Sequence, residues 1–119
     1  MPIYLSIITH LEFMEEARWV VIDKYIDLKR MHEKGIIFVV VNININYRRP
    51  ASVGDILELY LDLTKIGGKS AIFYQEIRLK GTDIVVADAQ VTFVFADKKT
   101  GKAVKIDDEI KRLIEKIKM

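Results

Sequence analysis

Few side chains in this sequence can do chemistry, so each can be weighed singly. There is no cysteine, which excludes disulfides and thiolate ligands. Of the two histidines, His10 falls near the start of a predicted helix. A helix N-terminus there lowers the ring's pKa and favours a neutral imidazole able to polarise a carbonyl; a packing role is the alternative. His32 falls in the last turn of that helix among charges, where it offsets the dipole. Two histidines without a clustered third ligand do not suggest a metal site. Gly67-Gly68-Lys69-Ser70 offers backbone N–H groups and a cation suited to phosphate, or a plain hairpin turn. Arg48 and Arg49 either add charge to such a site or solvate a loop. Glu15 stands three residues before Arg18, the spacing of a helical ion pair.

The elements that must position these groups follow from periodicity. Met14, Ala17, Val21, Tyr25, Leu28 and Met31 recur at gaps of three and four, which predicts one long helix from Thr9 to Glu33. Phe13, Trp19, Val20, Ile22 and Ile26 widen its apolar surface beyond a stripe, so a wrapped helix is expected. Thr9 and Glu12 form a capping box, and Gly35 supplies the stop.

The period then changes to two. Val41, Ile43, Ile45 and Tyr47 alternate with Asn42, Asn44 and Asn46, which predicts a strand with one buried and one polar face. The polar asparagine face either lines an interface or lies exposed. Leu57, Leu59, Leu61 and Leu63 give a second strand. Ala71, Phe73, Ile77 and Leu79 give a third, with Gln75 the exception on its face. Val85 to Phe95 gives a fourth, and a short helix over 107–118, capped by Asp107, closes the chain. Tight turns between strands imply antiparallel neighbours. The expected architecture is α+β, an antiparallel sheet wrapped around one long central helix, in a single domain spanning 1–119.

Phe13-Met14-Glu15-Glu16-Ala17-Arg18 resembles the aromatic-x-Glu-x-Ala-Arg helix motif of the 4-hydroxybenzoyl-CoA thioesterase family. Asn46-Tyr47-Arg48-Arg49-Pro50-Ala51-Ser52-Val53-Gly54-Asp55 is similar to that family's Tyr-x-x-Pro-x-x-x-Gly-Asp signature. The likeness runs from about Leu11 to Lys105. It implies a hot-dog fold, a homodimer or homotetramer with sheets joined edge to edge, and hydrolysis of an acyl-CoA thioester between protomers. No cofactor is implied beyond the CoA of the substrate. The helix N-terminus, with Thr9, His10 and Leu11, would hold the oxyanion. Lys69 and Ser70 match part of the family's basic CoA-binding loop, while glycines replace its arginines.

One departure is large. The family's catalytic aspartate, in an Asp-x-x-Gly context before the helix, would fall just ahead of Met1 when counted back from Arg18. Either the true start lies upstream of Met1 or the chain is a diverged member without the usual base; Pro2 to Ile8 also lack the accompanying Gly, His or Asn, which favours divergence. Other hot-dog branches carry the acid on the helix itself, where Glu15 stands about a turn and a half from the cap. Partial burial would raise its pKa toward that of a general base or nucleophile. The competing readings are a thioester hydrolase, an acyl-CoA-binding dimer without the base, and a structural oligomerisation domain whose pocket is filled by side chains.

With 19 basic and 17 acidic residues, the charge is too balanced to suggest nucleic-acid binding. The longest apolar run, Ile36 to Val41, is too short for a membrane span. No signal peptide is visible, so the cytoplasm is the default.

Overall fold

The computed structural model describes residues 7–52 and 54–116, with side chains from residue 12 onward. Helix α1 (Ile7–Tyr25) and the short helix α2 (Leu28–Glu33) precede strands β1 (Ile36–Tyr47), β2 (Leu57–Ile66), β3 (Ser70–Leu79) and β4 (Val85–Asp97); helix α3 (Asp108–Glu115) follows. The strands form one antiparallel sheet in the order β1-β4-β3-β2. The expected helix-on-antiparallel-sheet architecture is therefore present.

The single helix expected over 9–33 is two. Asp27 accepts a hydrogen bond from Arg30 N at 3.0 Å, starting a new helix. The apolar period continues across this break through Tyr25, Leu28 and Met31, which is why spacing alone did not register it. At the front, α1 begins by Ile7, so Thr9 lies inside the first turn rather than at the cap. At the end of α2, Gly35 has φ of +81°, the left-handed conformation that side chains disfavour.

One stripe of α1 is buried: Met14, Arg18, Ile22 and, just past its end, Ile26, each four residues after the last. Phe13, Trp19 and Val20 are exposed, so the sheet does not wrap the helix on all the sides its composition suggested. Beneath the stripe lies an aromatic layer. Phe93 stacks on Phe73 with centroids 4.5 Å apart and meets Phe38 at 4.8 Å. Phe95 closes the group edge-on to both Phe38 and Phe93. Offset and edge contacts of this kind suit the charge distribution of the rings. Ile110 and Ile114 of α3 complete the core.

The first strand corrects a second expectation. Its pairing with β4 shifts register between Val40 and Asn42, which makes Val41 the extra residue of a bulge. Ile36, Phe38 and Val40 face the helix before the bulge, and the opposite parity faces it afterwards. Ile45 packs against the core, but Val41, Ile43 and Tyr47 are 55, 39 and 37 % exposed. The face expected to be buried is only partly so, because β1 is an edge strand and α1 does not cover its outer margin.

Candidate active site

A cleft of about 340 Å³ opens between α1 and β1. Glu15, Arg18, Trp19 and Ile22 line its helical wall; Phe38, Val40 and Ile43 line the strand side. Trp19 stands edge-on to Phe38, with centroids 5.7 Å apart. The walls are thus apolar, with one carboxylate and one guanidinium among them, as in sites that take a largely apolar ligand.

Arg18 is 6 % exposed. Its Nη1 donates to Gln75 Oε1 at 2.7 Å, and Gln75 Nε2 donates to the Met14 carbonyl at 3.0 Å. Burial draws the guanidinium pKa below its ordinary value, and the charge of Glu15 acts in the opposite sense. The Glu15–Arg18 relation expected from i,i+3 spacing is thus electrostatic, while the hydrogen bond goes to Gln75. Glu15 itself is exposed, so the partial burial anticipated for it is not found in the single chain. The side chains of Thr9, His10 and Leu11 lie outside the described residues.

The phosphate-site candidates separate. Gly67 N donates to Ser70 O at 2.7 Å, closing the β2–β3 hairpin, so that N–H is committed to the turn. A Cβ on Gly67 would stand 3.2 Å from the same oxygen, which accounts for glycine there. Lys69 is exposed at the tip, and Ser70 opens β3. Arg48 donates through Nε to Asp88 and lies 55 % exposed, while Arg49 is exposed beside it. Arg48 and Arg49 both bond Val86 O through their backbone N–H groups, and Ser70 pairs with Val94. Eight residues of β4 separate those anchors, roughly 26 Å at about 3.3 Å per residue. Within one chain the two basic groups stand at opposite ends of the sheet and do not share a phosphate.

The outer face of the sheet carries a polar network, on the face that the sequence left open between interface and exposed surface. Asn46 Nδ2 donates to Asp88 Oδ1 at 3.1 Å. Arg78 Nε donates to Glu76 Oε2 at 2.7 Å, and Tyr74 donates to Glu76 Oε1 at 3.1 Å. The asparagine row thus lies on the open face, with Asn46 bonded into the network. Of the cleft residues, Arg18 was legible as part of a helix motif and as a partner for Glu15, but not as a buried group. Gln75 was visible as a polar interruption in an inward row, the one sequence signal that marked the buried pair. Among the described residues, no group of three or more His, Asp or Glu could hold a metal ion. No described helix is long and apolar enough to cross a membrane.

Comparison with known proteins places the fold in a family. The model of the thioesterase-like superfamily matches residues 4–114, and the chain belongs to that superfamily, with its hot-dog fold. It is 45 % identical over 108 residues to the long-chain acyl-CoA thioesterase FadM of Escherichia coli (strain K12), covering 91 % of this chain and 82 % of that protein. It also superposes on YbaW, a probable thioesterase from Escherichia coli, with a TM-score of 0.88 and 42 % identity. That match covers 98 % of this chain and 87 % of YbaW. A 1,4-dihydroxy-2-naphthoyl-CoA thioesterase from Synechocystis shares the fold at 19 % identity, with a TM-score of 0.81. It is matched over 93 % of this chain and 82 % of its own.

Proposed function

We propose that this chain is an acyl-CoA thioesterase acting on long acyl chains. The observation that carries the reading is the 45 % identity to a long-chain acyl-CoA thioesterase across 91 % of the chain. The cleft between α1 and β1 supports it, since an alkyl chain needs walls such as Trp19, Phe38 and Ile43.

In the proposed reaction Glu15 takes a proton from water as the oxygen attacks the thioester carbonyl carbon. The carbonyl π electrons move to oxygen, and free N–H groups of the first turn of α1, that of Thr9 among them, hold that charge. Collapse of the tetrahedral intermediate breaks the C–S bond; the CoA sulfur leaves and takes the proton from Glu15. The products are a free acid and CoA, and no cofactor takes part.

The reading requires two copies of the chain. Met14 and Arg18 meet Gln75, and Trp19 meets Phe38, so α1 starts toward the Arg48 end of the sheet. Antiparallel apposition of two β1 edges reverses one sheet against the other. Lys69 and Ser70 of one protomer then approach the end where its partner's α1 starts. There they would meet the CoA phosphates together with Arg49 and the exposed part of Arg48. The cytoplasm is the proposed setting.

Incubation with short, long and aromatic acyl-CoAs, followed by free thiol, tests the proposal. Turnover that rises with chain length supports it. Tight binding without thiol release would assign the chain to acyl-CoA binding, and neither binding nor turnover would leave a structural role.

A further inference from the structure

Gln75 interrupts the inward row of β3. Phe73 and Ile77 on either side are fully buried, and so is Gln75 itself. The amide is satisfied at both ends, by Arg18 Nη1 and by the carbonyl of Met14. Arg18 is desolvated in the process. Apolar side chains in both places would seat α1 on the sheet without removing a charge from water, and exchanges of that kind are often neutral or stabilising. Packing therefore does not require this pair.

Its position suggests what does. The Met14 carbonyl gripped by Gln75 belongs to the peptide unit that leads directly into Glu15. Arg18, gripped by the other end of the same amide, shares the cleft wall with Glu15. Apolar contact is non-directional and would let the helix slide or turn by fractions of an ångström. Two hydrogen bonds from one rigid amide fix α1 both along its axis and about it, at the turn that carries the carboxylate. Misplacing a reacting group by about 1 Å can cost a hundredfold in rate.

We propose that Gln75 is a positioning residue for thioester hydrolysis, setting the Glu15 carboxylate over the cleft through Arg18 and the Met14–Glu15 peptide. The inference rests on the reading of Glu15 as the acting carboxylate.

The test uses the full chain with palmitoyl-CoA as the probe, comparing the parent, Gln75→Asn, the double variant Arg18→Met/Gln75→Leu, and Glu15→Gln. Gln75→Asn is one methylene too short to span both partners. Its kcat should fall at least tenfold with KM within threefold of the parent. The double variant keeps the core apolar and should melt close to the parent, yet show the same loss in kcat. A purely structural pair would leave kcat per folded molecule at the parent value in whichever of the two variants folds, and that result overturns the inference. A Glu15→Gln variant as active as the parent, or a parent without turnover, would instead overturn the reading of Glu15 and this inference with it. Loss of turnover in Glu15→Gln, alongside parental kcat in the Gln75 variants, would overturn this inference alone.

Discussion

Glu76 and Asp88 stand directly opposite each other on β3 and β4, and each is only 8 % exposed. Like charges so placed repel. Each carboxylate has its own arginine: Arg48 donates to Asp88, and Arg78 donates to Glu76. Arg78 also lies over the Tyr60 ring, 4.6 Å from its centroid. The result is a neutralised pair of pairs across the open face.

This arrangement makes stability depend on acid. Burial alone would raise the pKa of Asp88, but hydrogen bonds from Arg48 and Asn46, with the charge of Arg48, outweigh it and hold the carboxyl below 3.8. A depressed folded pKa adds stability above the unfolded value and loses it as pH falls through the folded one. Arg48→Met should therefore lower the melting temperature near neutral pH. The gap from the parent should narrow as pH falls through the range, below that of an ordinary aspartate, in which Asp88 takes up its proton. A constant gap across that range would show that Arg48 acts by packing alone.

Phe93 touches Phe38, Phe73 and Phe95 at once. Phe93→Ala should cost about 3–5 kcal/mol in urea unfolding. A loss near 1 kcal/mol would mean the neighbouring rings collapse into the space, contrary to a close-packed layer.

Much of this core was legible in the sequence, and the misses have physical causes. Alternation identified four strands because each buries one face. It overstated the burial of Val41, Ile43 and Tyr47 in β1, because the edge of a sheet is not covered merely by being apolar. Helical spacing ran through Asp27 since a capped restart can preserve the apolar period. Glu15 could be named but not weighed, because burial at a shared cleft depends on what lies against it. Glu76 and Asp88 fall on the outer parity of their strands, and alternation alone gives no reason to single them out. Only register shows them adjacent, and only the fold brings Arg78 and Tyr74 to Glu76 and Arg48 and Asn46 to Asp88.

Gly35 has φ of +81° and open space around a would-be Cβ, so any penalty there is conformational. Gly35→Ala should lose about 1–2 kcal/mol of stability and leave kcat unchanged. An unaltered unfolding midpoint would contradict the left-handed stop after α2.

The uncovered margin of β1 carries the proposed assembly. Val41→Asp places a charge on an edge meant to pair with a second copy, and charges on edges oppose such pairing. In sedimentation the parent should run as a dimer or larger, whereas the variant should shift toward monomer and lose turnover while keeping its circular dichroism spectrum. A parent that is monomeric and fully active would remove the need for a shared site.

The most direct measurement is thiol release from a long-chain acyl-CoA by the parent and by Glu15→Gln, side by side. Expected is steady turnover by the parent, with one free acid formed per CoA. In Glu15→Gln, kcat should drop by about a hundredfold or more with KM little changed. Equal rates in the two proteins, or a parent that binds the thioester and returns it intact, would contradict hydrolysis at this cleft.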